Sequence, residues 1–158
     1  IVGCGNVPRN TSAGLEGEIR LPEQPYEDHI QLGDPHPEYN SKPAVSGWHS
    51  GFTVEWGFHD YEIPDEVLVH NLEHGGVGIH YDCPDGCSSV IQSLRMVSER
   101  YDKVVVSPYP GLDSVIVLTA WTYIDKLNQF DEVRITKFIE THMSSPVAPE
   151  YLVDVKNP

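Results

Sequence analysis

The run His70-Asn71-Leu72-Glu73-His74-Gly75-Gly76, leading into Val77-Gly78-Ile79-His80-Tyr81, constrains this chain more than any other stretch. The first five residues have helical character, and two successive glycines stop a helix at once. The alternating, β-prone residues that follow then begin a strand. The fold must therefore set a helix end directly against the start of a strand. His70 and His74 lie four apart, so on a helix they project from one face, one turn above each other. That spacing allows two imidazoles to reach one metal ion.

The rest of the pattern reads as helices packed on a sheet. Pro64-Asp65-Glu66 opens the helix that carries the histidines, over 64–74, with acids in its first turn. A strand over 76–82 follows. Val90, Ile91, Leu94 and Val97 form one apolar stripe of a helix over 87–100. Residues 103–107 and 114–123 are apolar and β-branched, and the second run has the length of a central strand. The Pro108-Tyr109-Pro110-Gly111 turn predicts that these two pair as a hairpin across residues 108–113. A last amphipathic helix is predicted over 131–142. The fold class is α+β: about three helices on a small, mostly antiparallel sheet, with a loop-rich N-terminal third. Residues 1–25 read as a flexible segment and 26–158 as a single domain.

Composition narrows the function. A formal net charge of −14 over 158 residues leaves no Lys/Arg cluster for nucleic acid or anionic lipid, and attracts cations as a diffuse field. Cys83-Pro84-Asp85-Gly86-Cys87 sets two thiols across a tight turn, which predicts a small-loop disulfide in an oxidising compartment; a redox or metal-binding thiol pair is the alternative. Ile1-Val2-Gly3-Cys4 resembles the tail of a bacterial lipoprotein signal, in which the cysteine becomes the lipidated first residue and Ile1 to Gly3 belong to a leader. The segment 1–25 is then a lipoprotein linker. A free thiol in a loose terminus is the plain alternative.

Longer motifs carry a family resemblance. They are Asp28-His29-Ile30; Tyr39-Asn40-Ser41-Lys42-Pro43 running on to Ser46-Gly47-Trp48-His49; Val69-His70-Asn71-Leu72-Glu73-His74-Gly75-Gly76-Val77; Tyr81-Asp82-Cys83-Pro84; Ser107-Pro108-Tyr109-Pro110-Gly111; Ala120-Trp121; and Pro149-Glu150-Tyr151. Together they resemble a bacterial extracytoplasmic group catalogued as domain-of-unknown-function family 3105. Ala44-Val45 departs from the Pro-Pro or Pro-Thr that relatives often show, without removing a candidate ligand. The resemblance implies export behind a signal peptide or membrane anchor and singles out His29, His49, His70 and His74. His36, His59, His80 and His142 fall outside its motifs. The family name carries no activity.

Chemistry must supply the rest. The expected centre is mononuclear, built on His49, His70 and His74 with His29 close by. Imidazole suits zinc, copper, nickel or iron, and the lack of adjacent carboxylates disfavours calcium and magnesium. Copper is the expected ion, with Met143 as a candidate soft axial ligand and zinc as the alternative. Glu73 is expected to orient a ring nitrogen from outside the ligand set. Trp48 and Phe52 are expected to exclude water. The leading function is an exported or lipid-anchored metal-handling or electron-transfer protein. A zinc hydrolase is the second, since His70-Asn71-Leu72-Glu73-His74 reads H-x-x-E-H with Glu73 as base. It is weakened by Gly75-Gly76 ending the helix and by Glu150, which looks poorly placed as a third ligand. The third is a non-metal envelope domain presenting Trp48, Phe52, Trp56 and Phe58 as a binding surface.

Overall fold

The computed structural model describes residues 15–154. Cys4 and the leader-like residues before it lie outside this range. Among the described residues are six strands and three helices. In chain order they are β1 (Glu18–Arg20), β2 (Gly57–Phe58), α1 (Asp65–Glu73), β3 (Val77–Tyr81), α2 (Ser88–Ser98), β4 (Val104–Pro108), β5 (Ile116–Ala120), β6 (Tyr123–Leu127) and α3 (Glu132–His142). The helix predictions agree to within two residues at each end. Pro64 starts α1, and the Asp131 carboxylate caps α3 by accepting from the Arg134 amide.

The strands form one sheet in the order β1-β6-β5-β3-β4-β2. It is mixed, not mostly antiparallel: β1/β6, β6/β5 and β5/β3 are antiparallel, whereas β3/β4 and β4/β2 are parallel. Two sequence expectations fail here for identifiable reasons. The predicted hairpin between 103–107 and 114–123 does not exist, because α2 carries the chain over the sheet and returns β4 parallel to β3. The single long strand over 114–123 is two strands folded back at Trp121-Thr122, with Thr122 at φ 66°. That turn lacks a glycine or proline signal. It is held from outside: the Thr122 amide donates to Val45 O at 2.9 Å, and Thr122 O accepts from the Leu21 amide at 2.8 Å. β1 also lies inside the 1–25 stretch read as flexible, where Glu18, Ile19 and Arg20 pair with Asp125, Ile124 and Tyr123.

Both faces of the sheet are covered, which explains the near-continuous apolar runs in β4 and β5. Val104, Val106, Ile116 and Leu118 face one way and pack with Leu94 and Val97 of α2 and Ile135, Phe138 and Ile139 of α3. The alternate positions face the other way. There Val105 meets Leu68 of α1 and Ile63, while Val117 and Ile124 meet Val45. This second layer is α1 plus the loop-rich segment before it, and it holds the candidate site. Cys83 and Cys87 are bridged, with Cα atoms 5.7 Å apart, just before α2.

Candidate metal centre

The last turn of α1 is almost wholly buried, from Leu68 to Glu73. Gly75, at φ 76°, lets the chain leave the helix, and a Cβ there would lie 3.0 Å from the Ser144 backbone. At Gly76 a Cβ would fall 2.5 Å from the Trp56 ring and 2.7 Å from Asn71 O. The two glycines thus allow β3 to start beneath the helix end. His70 and Glu73 therefore face inward from a rigid element.

Two loop segments bring the remaining rings. An isolated parallel bridge joins Ile30 to Ser50, and the Ile30 amide donates to His49 O at 3.0 Å. Each bridged residue directly follows a histidine, so His29 and His49 arrive side by side with ring centroids 5.1 Å apart. The Ser50 amide donates to Glu66 O, and Asn71 clamps Val54 through both its side-chain oxygen and nitrogen. These bonds fix the loop to α1. His70 then stands 4.8 Å from His29 and 5.2 Å from His49, centroid to centroid.

Four groups converge: His29, His49, His70 and Glu73 each offer a ligand atom, all within 4.8 Å of one another. Ligand atoms of a tetrahedral zinc or copper site stand about 3.4 Å apart, given metal–nitrogen bonds of about 2.1 Å, so modest closure suffices. His49 is fully buried, His70 and Glu73 nearly so, and His29 is exposed. The cluster thus opens to solvent on the His29 side.

Tautomers give the geometry its meaning. His49 Nδ1 lies 2.8 Å from Gly47 O, His70 Nδ1 3.2 Å from Phe52 O, and His74 Nδ1 3.1 Å from Val153 O. A carbonyl oxygen can only accept, so each Nδ1 carries the proton and donates. In the neutral ring the Nε2 of His70 and of His74 is then a bare lone pair, whereas His49 Nε2 faces the Glu73 carboxylate and donates to it, the proton that a metal would displace. His49 Nε2 is 3.0 Å from Glu73 Oε2, and His70 Nε2 is 3.9 Å from the same oxygen. His70 Nε2 and His74 Nε2 face each other at 3.0 Å. Backbone carbonyls that fix tautomer and ring direction are the usual outer partners of metal-binding histidines.

The electrostatics agree. Burial first, then the His49, His74 and His29 rings, lower the His70 pKa to about 4. Burial opposes the Glu73 carboxylate, but hydrogen bonds from His49 and Tyr26 outweigh it and hold the carboxyl below its ordinary value. Tyr26 donates to Glu73 Oε1, and burial together with that bond pushes its phenol well up. At neutral pH the centre is an anionic carboxylate beside the unprotonated His70 ring, an arrangement a divalent cation would stabilise.

The structure redistributes several expected roles. Glu73 points into the cluster among the imidazoles. His74 stands at its edge, in a second group with Glu73 and Glu150. Glu150 is better placed than the sequence implied: its amide donates to Glu73 O at 3.0 Å, and its Oε2 is 3.5 Å from His74 Nε2. Met143, at the C-terminal cap of α3, packs against the main core. Phe52 is 66% exposed and shields nothing; Tyr26 and Trp121 wall His49, at centroid distances of 4.6 and 6.5 Å. Trp48, Trp56 and Phe58 are half-buried, so they do not form an open aromatic surface. The histidines outside the motifs are elsewhere: His80 pairs with Thr119 inside the sheet, His142 with Glu18, His59 with Glu55 O and His36 with Pro37 O. Glu150 and Tyr26 carried the weakest sequence signal of the residues around the cluster. Glu150 had a motif but no helical or strand context, and Tyr26 had no motif.

Comparison with known proteins places the chain in a family. It matches, over residues 32–156, the family described as Protein of unknown function (DUF3105), and it belongs to that family. The matched stretch contains His49, His70, Glu73, His74 and Glu150; His29 lies three residues before it. No curated protein and no solved structure matches the chain.

Proposed function

We propose that this protein is an extracytoplasmic metal-handling protein that holds one Cu(II) ion on His29, His49, His70 and Glu73. The observation that carries the reading is the set of backbone carbonyls that take the Nδ1 protons of His49 and His70 and turn both Nε2 atoms towards the Glu73 carboxylate. Nitrogen and oxygen donors without sulfur bind Cu(II) most tightly among the first-row divalent ions, with zinc next in line of relevance. Handling is favoured over electron transfer because the grouped ligand atoms are nitrogen and oxygen alone, while Met143, the candidate soft axial ligand, packs against the main core. Glu73 serves as a ligand in this reading, which leaves the H-x-x-E-H string without the free base a hydrolase needs. The Cys83–Cys87 bridge supports an oxidising compartment. Lipid anchoring through Cys4 belongs to the same proposal and is checked by mass spectrometry of the exported protein.

Calorimetric titration of untagged protein with Cu(II) and Zn(II) tests the site. Tight binding, copper before zinc, is expected for the wild type, with His70→Ala weakened by about 100-fold or more, beyond the roughly 10–100-fold typical of losing an outer partner. Equal binding by wild type and His70→Ala, or none by either, returns the histidines to a structural role.

A further inference from the structure

The groups at the edge of the cluster form a second set, of which the first ion uses Glu73 alone. Glu73, His74 and Glu150 each offer a ligand atom within 4.8 Å of the others. Glu73 belongs to both sets. We infer that the centre is a two-ion site, in which a second divalent cation binds His74 and Glu150 and shares the Glu73 carboxylate with the first. The inference rests on the metal reading above and extends it.

Three observations carry it. First, His74 is oriented as a ligand. Its Nδ1 donates to Val153 O at 3.1 Å, so its Nε2 is a lone pair aimed between His70 and Glu150. With His70 Nδ1 committed to Phe52 O, no hydrogen lies between the two Nε2 atoms 3.0 Å apart in their neutral forms. Two opposed lone pairs at that distance repel. An ion on each nitrogen converts that repulsion into two bonds. Second, Glu150 is delivered by construction. Its amide is bonded to Glu73 O, the Ser144 amide to Gly75 O, and Lys103 Nζ ties His74 O to Tyr151 O at 3.0 Å each. The C-terminal segment is thereby laced to the end of α1, with the Glu150 side chain half-exposed and its Oε2 3.5 Å from His74 Nε2. Third, the charge and lone-pair count allow two ions. An ionised carboxylate has about four acceptor directions, and Tyr26 occupies one on Oε1. Two carboxylates and a chain of net charge −14 offset the added positive charge.

The two positions differ in character. The first is enclosed by buried rings; the second lies at the rim beside a half-exposed carboxylate. The second ion is therefore the weaker and more readily exchanged, as suits an ion in transit.

Cu(II) titration followed by calorimetry and electron paramagnetic resonance tests this on wild type and Glu150→Gln, a change at a half-exposed side chain. In the wild type two equivalents are expected, the second weakening the mononuclear signal through coupling between neighbouring ions. Glu150→Gln should retain the first equivalent and bind the second at least tenfold more weakly, without coupling. One equivalent in both proteins overturns the two-ion inference and leaves the single-ion function standing. Two equivalents in both, uncoupled, also overturn it, because the second ion then sits elsewhere. No binding in either protein removes the function itself and this inference with it.

Discussion

His70 and His80 are both buried, both resist protonation, and stand ten residues apart, yet their surroundings ask for different things. His80 is fully buried within β3, and burial alone lowers its pKa to about 3. Its Nε2 bonds Thr119 Oγ1 at 2.8 Å, while its Nδ1 has no hydrogen-bond partner among the described residues. His70 has its pKa lowered to about 4 by burial and by three neighbouring imidazoles, and it adjoins a carboxylate. The comparison teaches that a buried neutral histidine is not in itself a site. A site needs convergence: several lone pairs directed at one point by partners behind them.

Substitution should separate the two most sharply. His49→Ala takes away a fully buried ring that faces Glu73 and should reduce Cu(II) affinity by about 100-fold or more. His80→Ala should leave Cu(II) affinity within about twofold, while lowering stability by about 2–4 kcal/mol, as buried large-to-small changes do. Calorimetry and urea denaturation of both variants measure this. A loss of copper in His80→Ala would erase the distinction.

Acid offers a second separation. Both histidines have folded pKa values below the unfolded value of about 6.5, so both stabilise the fold fully above that pH. As pH falls below about 6.5 the unfolded chain takes up protons first, and stability declines towards about 4 for His70 and about 3 for His80. Metal-free protein should thus be less stable at pH 5 than at pH 7 in urea. His80→Gln should flatten that slope, and copper should steepen it, because protons compete with metal for His70 but not for His80. An unchanged slope in His80→Gln would contradict the burial argument.

The smallest effect is expected at Tyr26. Tyr26→Phe keeps the wall beside His49 but removes the bond to Glu73 Oε1. Cu(II) affinity should fall by about tenfold, at the low end for an outer partner, with the fold intact by circular dichroism. No change in affinity would mean that packing alone orients Glu73.

Legibility in the sequence followed the same division between local and convergent features. The helices were readable because periodicity, Pro64 and Asp131 are local signals. So was the pairing of His70 with His74 on α1. The sheet was less so. The β3–α2–β4 order is a signal for parallel pairing, but the Pro-rich turn at 108–111 is an equally local signal for a hairpin. The Trp121-Thr122 turn is stabilised by Val45 and Leu21, distant in sequence, and no local residue marks it. β2 is two residues long and carries no periodicity. For the cluster, motifs picked out the four histidines, whereas Glu73's inward direction and Glu150's approach depend on how α1 meets the C-terminal segment.

The proposed centre requires that His49 and His70 present unprotonated Nε2 atoms to the metal, with their Nδ1 protons held by backbone carbonyls. Long-range proton–nitrogen NMR of the imidazole rings, recorded at pH 7 with and without one equivalent of Zn(II), reads this ring by ring, zinc serving as the diamagnetic stand-in for copper. The Nδ1–H tautomer is expected for both rings in the zinc-loaded protein, with large Nε2 shifts on zinc addition and none at His80. Nε2–H tautomers persisting at both rings in the zinc-loaded protein, or shifts absent at both, would overturn the proposed centre.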